Sequence, residues 1–472
     1  MAGITGIGSG IDINSIVGAM VSAEKAPKEA QLARLEKAST TKFSALGQLK
    51  GALSEFQTAM KDLNSLALFE KRTATSSNTS ALTASASKTA LAGSYQVTVE
   101  RLASSSKVAT AALAGDFAAT ADGKMTVKLG AADAGVEVDI ASGDTLVDIR
   151  DKLNTALKDK GITANIVNNP ADGKSRLVLN AKETGAGKDI SIETADAVVG
   201  VDAGLADLTV DGSIQSVGAG AGYLQQAADA EFTVDGLSLK SPSNTVDAAI
   251  PDVTFTLVGK TEVDKPLTLA VGQDKSGVTA NIKKFVDAYN KLIKTSNELT
   301  NVTLVGEGKP PVTGGLVGDA TVRTLLSGVR NELVSPASQE GVRVLADLGI
   351  ATQKDGTLKI DDAKLSKALT DNFDAVGSFF TGDNGLMSRV DKRIDGYIQT
   401  GGVLEQRMKG LQSTISDIDK QKETLTRRVA QMQTRLFAQF NAMDALVGRL
   451  NDTSARLTQA LGSLPGVVKQ DS

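Results

Sequence analysis

The chain of 472 residues contains no cysteine, no histidine and no tryptophan, and aromatic residues make up only 3% of it. Without cysteine or histidine there is no thiol nucleophile, no imidazole base, no structural zinc site and no histidine-ligated haem. A hydrolase of this composition would need paired carboxylates or a serine–lysine arrangement, yet the 55 acidic residues are scattered along the sequence. We therefore predict no catalytic residue and no metal site.

The sequence also lacks clustered charge and long apolar runs. Its formal net charge is −4, without a long Lys/Arg run, so neither nucleic acid nor an anionic membrane surface is an expected partner. No uncharged apolar stretch reaches the ~18 residues of a membrane span, so we predict no membrane insertion. The first lysine, Lys25, follows the early apolar stretch, which is the wrong order for a secretory signal peptide. If the protein leaves the cell, we expect another export route.

The opening stretch MAGITGIGSGIDINSIV carries Gly6, Gly8 and Gly10, a cluster that invites comparison with a phosphate-binding loop. A dinucleotide fingerprint requires G-x-G-x-x-G directly after a strand, and here a G-x-G-x-G follows only five residues. We interpret the stretch as a pliable leader, followed by a short helix that Asp12 or Asn14 caps.

Three further motifs fail as ligand sites because their spacing or their residue types are wrong. GAGKD at 185–189 lacks the first glycine and the Ser/Thr of a P-loop, and VGAGAGYL at 217–224 is interpreted as a linker between β segments. TQKDGTLKIDD at 352–362 has the Asp-Gly centre of a calcium loop, but Ala351 and Gln353 occupy ligand positions. We predict a turn between a strand and a helix there, and no cofactors.

The strongest periodic signal lies near the C-terminus, where apolar residues recur in steps of four and three over about seven or eight heptads. This pattern predicts a long coiled-coil helix that needs a partner. Among its polar interruptions, Lys422 and Gln439 either fix the register or are simply tolerated. The predicted coiled-coil and oligomerisation positions, called the C-terminal seam below, are Leu404, Met408, Leu411, Ile415, Ile418, Leu425, Val429, Met432, Leu436, Met443, Leu446, Leu450 and Leu457.

The N-terminal part carries a matching pattern, with Ser39 and Lys42 in polar positions of the repeat. Because proline suits a first helical turn and breaks an interior, we expect Pro27 to end a first helix and start a second. The two patterns predict antiparallel pairing of the two ends of the chain. The N-terminal seam consists of Leu46, Leu49, Leu53, Phe56, Met60 and Leu63, preceded by Leu32 and Leu35, and a separate apolar docking end consists of Ile13, Ile16 and Met20.

The middle of the chain alternates polar and apolar residues with period two, which is typical of strands. In EFTVDGLSL, the Asp235-Gly236 pair fits a two-residue hairpin turn that needs positive φ. One helix interrupts these strands, with Thr145 and Asp148 spaced for a capping box and Gly161 at its end.

Helical patterns resume near Val278, around 319–333 and around 361–380. The order predicts a multidomain α+β protein, in which both termini form a helical coiled-coil or bundle stalk and β-rich head domains are inserted between them. The expected segments are a flexible or helical arm (1–40), the two halves of a helical leg (41–85 and 271–403), one β-rich head domain (86–110 with 195–270), a second head domain (111–194), the coiled-coil helix (404–461) and a flexible tail (462–472).

Several stretches carry a resemblance to a known family. They are GIGSGIDINSIVGAMVSAEKAP, FSALGQLKGALSEFQ, GSYQVTVERLASSSKV, AEFTVDGLSLKSPSNTVDAAIPDVTFTLVG, IKKFVDAYNKLI, LADLGIATQKDGTLKIDDAKL and LFAQFNAMDALVGRLN. Together they resemble the flagellar hook-associated protein 2 family nearly end to end, with 111–222 the least diagnostic part. Within the second head domain, TLVDIRDKLNTALKDKGITANIV and SRLVLNAKETGAGKDISI resemble a short module shared by flagellin and hook proteins.

The resemblance implies a filament cap at the distal tip of the bacterial flagellum, a homo-oligomeric ring of about five or six subunits. Such a ring retains exported flagellin and promotes its folding and polymerisation. The implied partners are other copies of the chain, flagellin, the hook-filament junction proteins, a flagellar export chaperone and, in an adhesion role, a host-surface ligand. The implied location is extracellular, reached by flagellar type III export without a cleaved signal peptide.

Two alternatives stay open at this point. A hook-filament junction protein or a minor flagellin also has helical termini around a β-rich middle. A carboxylate-based hydrolase of cell-wall glycan is the alternative from a different class.

Overall fold

The computed structural model describes residues 10–262, 264–304, 306, 311–337 and 341–462. The chain divides into two compact units: a helical unit, up to Leu66 and from Lys275 onward, and a β-rich unit, Ala67–Asp274. The predicted architecture, helical termini around an inserted β-rich middle, is therefore confirmed. Residues 1–9 of the predicted leader and 463–472 of the predicted tail lie outside the described residues.

The three longest helices, of 51, 26 and 60 residues, lie in the helical unit. They are α1 (Ile13–Leu63), α2 (Leu66–Glu70), α3 (Leu146–Ala156), α4 (Lys275–Thr300), α5 (Ala320–Val334), α6 (Asp362–Asp371), α7 (Phe373–Phe380), α8 (Leu386–Ile398) and α9 (Val403–Gly462).

The strands lie mostly in the β-rich unit. They are β1 (Arg72–Ser76), β2 (Leu82–Ala86), β3 (Gly93–Arg101), β4 (Ser105–Ala109), β5 (Gly123–Leu129), β6 (Val136–Ile140), β7 (Ile162–Asn168), β8 (Ser175–Thr184), β9 (Ile190–Asp196), β10 (Gly222–Gln225), β11 (Ala230–Val234), β12 (Leu237–Ser241), β13 (Thr245–Ile250), β14 (Val253–Leu257), β15 (Leu267–Gln273), β16 (Val302–Thr303), β17 (Val312–Thr313), β18 (Ile350–Thr352) and β19 (Leu358–Ile360).

Helix α1 is continuous for 51 residues with Pro27 inside it, so the predicted break at Pro27 is wrong. Proline removes one backbone N–H donor, but packing against α9 holds the helix on both sides of it, through ion pairs of Glu24 with Arg428 and of Glu36 with Lys422. The predicted boundary between an arm ending at 40 and a leg starting at 41 is consequently absent. Of the two predicted caps, Asp12 and Asn14, the structure uses Asp12, whose Oδ1 accepts a hydrogen bond from the Ser15 N–H at 3.0 Å.

At its C-terminal end, α1 packs against α4 around an aromatic cluster. The Phe56 ring lies 5.6 Å from that of Phe285 and 5.8 Å from that of Tyr289, centroid to centroid, and all three side chains are fully buried. Burying such rings contributes several kcal/mol, on the order of 25 cal/mol per Å² of apolar surface. This aromatic cluster forms the core of the helical unit at the C-terminal end of α1. We call this end of the unit the base.

Two predictions for the helical unit need correction. The predicted single helix over 361–380 is two helices, because α6 ends before Asn372 and α7 starts at Phe373. The turn at Asp355-Gly356 joins two short strands, β18 and β19, instead of a strand and a helix. Asn290 of α4 holds this hairpin, since its amide donates to the Leu358 carbonyl and accepts from the Leu358 N–H.

The β-rich unit has two hydrophobic cores. The first lies between a five-stranded sheet, order β1-β15-β3-β11-β12, and a three-stranded sheet, order β13-β14-β2. The second is formed by α3, a four-stranded sheet, order β10-β4-β8-β7, and a three-stranded sheet, order β6-β5-β9.

The segment boundaries in this unit differ from the predicted ones. Residues 72–86 form β1 and β2 of the β-rich unit, whereas the prediction placed 41–85 in the leg. The prediction also grouped 195–270 with the first head domain, but Ala203, Leu208 and Val210 are buried in the second core. Loops without periodicity gave no sequence signal for this assignment.

The predicted hairpin turn and capping box of the β-rich unit are confirmed, whereas Gly161 ends a short 3-10 helix, Lys158–Lys160, instead of α3. Asp235 and Gly236 have φ of 50° and 81° and join β11 to β12, because both positions of this turn need positive φ. Thr145 and Asp148 form the reciprocal capping box of α3.

The two glycine motifs of this unit have structural explanations. Gly185 has φ of 108°, and a Cβ there would lie 2.8 Å from Pro242 Cβ, so the turn requires glycine. The glycine loop at 217–222 is held by Arg176, whose guanidinium donates to the carbonyls of Gly218 and Gly220.

Candidate assembly surface

Helices α1 and α9 run antiparallel, as their contacts show. Glu36 pairs with Lys422 at 2.5 Å and Glu24 pairs with Arg428 at 3.6 Å, so higher numbers on α9 face lower numbers on α1. Nearer the base of the unit, a Cβ on Gly47 would lie 3.8 Å from Met408 Cε. The two ends of the chain therefore form one hairpin-like helical pair.

Lys422 has a partner in this pair, whereas Gln439 is exposed. The Lys422 and Glu36 side chains are each about one-third exposed, at 37% and 36%. A charged pair inside an apolar seam favours the one alignment in which the charges meet. This contact is consistent with a register-setting role for Lys422, and nothing comparable is seen for Gln439 among the described residues.

The buried positions of the C-terminal seam lie in the first part of α9, and its exposed positions lie at the end. Leu404 and Ile418 are buried at 0% and 3% exposure. The intermediate positions are partly buried, and these are Met408, Leu411, Ile415, Leu425, Val429, Met432 and Leu436. The last four are exposed, with Met443 at 43%, Leu446 at 57%, Leu450 at 60% and Leu457 at 58%.

The N-terminal seam behaves differently, because α1 has neighbours on two sides at its C-terminal end. All six of its positions are buried, and these are Leu46, Leu49, Leu53, Phe56, Met60 and Leu63. Of the two residues before them, Leu32 is buried and Leu35 is 48% exposed. At the polar positions, Ser39 is buried and Lys42 is exposed.

The exposed part of the C-terminal seam lies beyond the start of α1. Two helices rise equally per residue, so the Glu36–Lys422 contact places Ile13 level with about residues 440–445 of α9. Since α9 continues to Gly462, about 20 residues, or roughly 30 Å of helix, extend past the first turn of α1. We call 443–462 the overhang; in the described part of the chain its apolar stripe has no covering helix.

The predicted docking end lies beside the start of this overhang. Ile13 is buried at 1%, Ile16 is partly buried and Met20 is 43% exposed. Val17, which sequence reasoning did not select, is fully buried; its spacing of four from Ile13 is the signal that could have found it. The apolar docking end is therefore partly buried within the chain itself.

An ion pair that the sequence pattern did not reveal joins the N-terminal end of α9 to the start of α5. Arg407 donates to both oxygens of the Asp319 carboxylate, at 3.1 and 2.5 Å, and Asp319 also caps α5. The Arg407 guanidinium is the main cause that lowers the pKa of Asp319, while burial opposes it. In return, the carboxylate raises the pKa of Arg407. The pair stabilises the contact between α9 and the start of α5.

A groove of about 420 Å³ runs between α1 and α9 near the middle of the pair, with Leu425, Val429 and Met432 on its apolar side. Charged side chains, including Glu24 and Arg428, line its other side. No three Asp or Glu residues in the described ranges converge as a metal site would require. No helix built from described residues is both long and apolar enough to cross a membrane.

Comparisons with known proteins cover nearly the whole chain. Residues 9–106 match the family described as flagellar hook-associated protein 2 N-terminus, and residues 227–452 match its C-terminus. Residues 124–183 match the flagellin hook IN motif, which confirms the predicted flagellin- and hook-like module in the second head domain.

Full-length relatives support the same assignment. The A-type flagellar hook-associated protein 2 of Pseudomonas aeruginosa is 54% identical over 99% of this chain and 98% of its own length. Its counterpart in Escherichia coli K12 is 32% identical over 96% and 97% of the two chains. A crystal structure of the D1-D2-D3 domains of the flagellar cap protein from Escherichia coli, 30% identical, covers 78% of this chain and 99% of its own, with a TM-score of 0.57. The chain therefore belongs to the flagellar hook-associated protein 2 family.

Proposed function

We propose that this protein is the cap at the distal tip of the bacterial flagellar filament. Its Escherichia coli relative is described as a flagellar cap protein. One observation of the structure carries the proposal. The overhang presents Met443, Leu446, Leu450 and Leu457 at 43–60% exposure on a helix that no other described helix covers. Because an apolar stripe of this length is stable in water only when it is covered, it is suited to bind the helical ends of filament subunits.

In this proposal the chain forms a ring whose helical units contact the filament end. Flagellin that emerges from the central channel is retained beneath the ring, where it folds and adds to the tip. The free energy for advancing the cap comes from binding each new subunit, since no nucleotide motif was found in the sequence. ATP hydrolysis by the purified protein would contradict this energy source.

The remaining partners of the protein and its location follow from the same proposal. The protein acts outside the cell, at the filament tip, after export through the flagellar type III route without a cleaved signal peptide. An export chaperone holds it before export, and the hook-filament junction proteins support its first ring. Binding to a host-surface ligand is an additional role.

The alternatives are less favoured. The full-length relatives are named hook-associated protein 2, not junction protein or flagellin. Neither of these relatives is named as a glycan hydrolase.

The decisive experiment combines electron microscopy with a retention assay. We expect the purified chain to form discrete closed rings, whereas a flagellin would form long filaments. In a strain that lacks its cap protein, we expect this chain to restore filaments and to reduce the flagellin lost to the medium. Monomers under all solution conditions, together with unchanged flagellin loss, would contradict the proposal.

A further inference from the structure

The helical unit and the β-rich unit carry net charges of opposite sign. Lys and Arg outnumber Asp and Glu in the helical unit, whereas Asp and Glu outnumber Lys and Arg in the β-rich unit. Because opposite charges attract over roughly a Debye length in salt solution, a partner that binds the helical unit through charge is expected to be acidic.

One groove on the helical unit is lined by three cations. The exposed side of α1 carries Arg34, Lys37 and Lys42, which line a groove of about 690 Å³ together with the segment 311–317. This segment, PVTGGLV, contains no charged residue. We call this surface the cationic groove.

The acidic residues of the same stretch of α1 do not neutralise the cationic groove. Glu29 pairs with Lys25 at 3.2 Å, and Glu36 pairs with Lys422 of α9 at 2.5 Å. Among the described residues, no carboxylate lies within ion-pair distance of any of the three groove cations. The groove therefore keeps three positive charges available to an anionic partner.

The cationic groove continues the path that α4 takes along α1. The ion pair between Lys291 and Glu55 fixes the level of these two helices, so the end of α4 at Thr300 lies level with about residue 46 of α1. There Gly315 crosses α1, since a Cβ on it would lie 2.8 Å from Ala45 Cβ. Beyond the crossing, the groove residues of α1 are exposed. The groove therefore offers a position for one more helix.

An apolar side of the cationic groove narrows the class of partner. Ala38, Val312 and Val317 line the groove with the cations, and the two valines are 62% and 43% exposed. A nucleic acid would meet the cations but leave the apolar side chains in water. An amphipathic polypeptide would cover both kinds of surface.

The helices of a second copy of this chain are poor candidates for this position. Where a described helix has two or more acidic residues, Lys or Arg lies within or beside the acidic stretch. In α9, for example, Lys420 and Lys422 stand within 417–423. Such mixed stretches would bring positive charge against the groove cations.

We propose that the cationic groove binds an acidic amphipathic helix of a filament subunit. Its carboxylates lie against Arg34, Lys37 and Lys42, and its apolar residues cover Ala38 and Val312. The inference rests on the proposed function and adds a charged contact to the apolar contact of the overhang. Charged contacts of this kind guide the approach of a partner and fix its orientation.

Zero-length crosslinking of the full chain tests the partner directly. A carbodiimide joins a lysine amine to a carboxylate only when the two groups are in contact. The probe is short filaments reassembled from purified flagellin, and mass spectrometry identifies the linked residues. We expect Lys37 and Lys42 to be linked to Asp or Glu residues of flagellin. Links from these lysines only to acidic residues of another copy of this chain would overturn the inference.

Charge reversal measures what the cationic groove contributes. Arg34→Glu with Lys37→Glu and Lys42→Glu should weaken cosedimentation of the chain with the same filaments on the order of tenfold, because like charges then oppose each other. Binding of the unaltered chain should weaken as salt is raised. Ring formation of the variant, measured by mass photometry, should equal that of the unaltered chain.

A matched control changes the same amount of charge elsewhere on the helical unit. It combines Lys61→Glu, Lys354→Glu and Lys359→Glu, at exposed lysines with no ion pair in the described residues, and should bind filaments as the unaltered chain does. Circular dichroism establishes that both variants keep their helices. Equal weakening in the control would trace the effect to the net charge of the unit and overturn the inference.

The outcomes separate this inference from the proposed function. A groove variant that binds filaments as tightly as the unaltered chain overturns the groove contact and leaves the cap proposal standing. A groove variant that also fails to form rings places the groove between copies of the chain, and the inference is then wrong. An unaltered chain that neither forms rings nor restores filaments in cells without their cap protein counts against the proposed function itself.

Discussion

The base of the helical unit and the overhang of α9 carry the same heptad pattern, but the apolar residues of the base are buried and those of the overhang are exposed. Near the base, Leu49 and Leu53 are fully buried because α4 and α9 both pack on α1. In the overhang, Leu446 and Leu450 are 57% and 60% exposed on α9. The heptad pattern specifies a helix with an apolar stripe, and the number of neighbouring helices decides whether the chain covers that stripe itself. The base is therefore expected to set stability, and the overhang to set assembly.

The largest expected effect is at the base. Phe56→Ala removes a fully buried ring from the cluster with Phe285 and Tyr289, so it should lower the free energy of unfolding by about 3–5 kcal/mol. Denaturant unfolding followed by circular dichroism at the helix signal measures it. Leu450→Ala is the matched control on the overhang and should change stability by less than about 0.5 kcal/mol. Equal losses in the two variants would contradict the contrast between base and overhang.

The next effect concerns the ion pair that attaches α9. Asp319→Asn keeps a residue that caps α5 well but removes the charge that Arg407 binds, so we expect a loss of about 1–3 kcal/mol at neutral pH. Because Arg407 lowers the pKa of Asp319 in the folded chain, the pair's contribution is complete above the unfolded pKa of roughly 3.9 and is lost as pH falls through the folded pKa.

The measurement is the pH dependence of unfolding in both proteins. The difference in stability between the native chain and Asp319→Asn should be constant from pH 7 to about pH 5 and should shrink in more acidic solution. A difference that grows on acidification would show that the carboxylate is not held in its charged form.

A smaller effect is expected in the β-rich unit. Thr145→Ala removes half of the capping box of α3 and should cost about 1 kcal/mol. Hydrogen exchange of the first-turn amides of α3 reports this locally, and protection there should fall several-fold. Thr155→Ala, on the exposed side of the same helix, is the control and should leave that protection unchanged.

These elements also show how much of the fold could be predicted from the sequence. The capping box at Thr145 and the hairpin at Asp235 depend on local spacing, which the sequence displays directly. The antiparallel pairing of the two ends follows from two matching heptad patterns. The continuity of α1 through Pro27 depends on its contacts with α9. The Arg407–Asp319 pair joins residues 88 positions apart, and no local pattern reveals such a contact.

The candidate surface was only partly predictable for the same reason. The heptads identified Leu446 and Leu450 as apolar positions, but not that α1 begins too late to cover them. Periodicity finds a stripe, whereas the tertiary fold decides which part of it remains available to a partner.

The smallest effect on stability is expected at the overhang, together with a large effect on function. Leu446→Ser with Leu450→Ser should leave unfolding of the isolated chain nearly unchanged, within about 1 kcal/mol, because both side chains are more than half exposed. In cells that lack their cap protein, however, the variant should fail to retain flagellin, which would accumulate as monomer in the medium.

Arg449→Ser with Asp452→Ser is the matched control for this pair. It introduces the same two serines into the same exposed helix and leaves the net charge unchanged, so any loss of helix propensity is common to both variants. Only the leucine variant removes the apolar stripe, and only it should release flagellin. Normal filaments with the leucine variant would mean that the overhang does not bind the filament, whereas release by both variants would trace the effect to the helix itself.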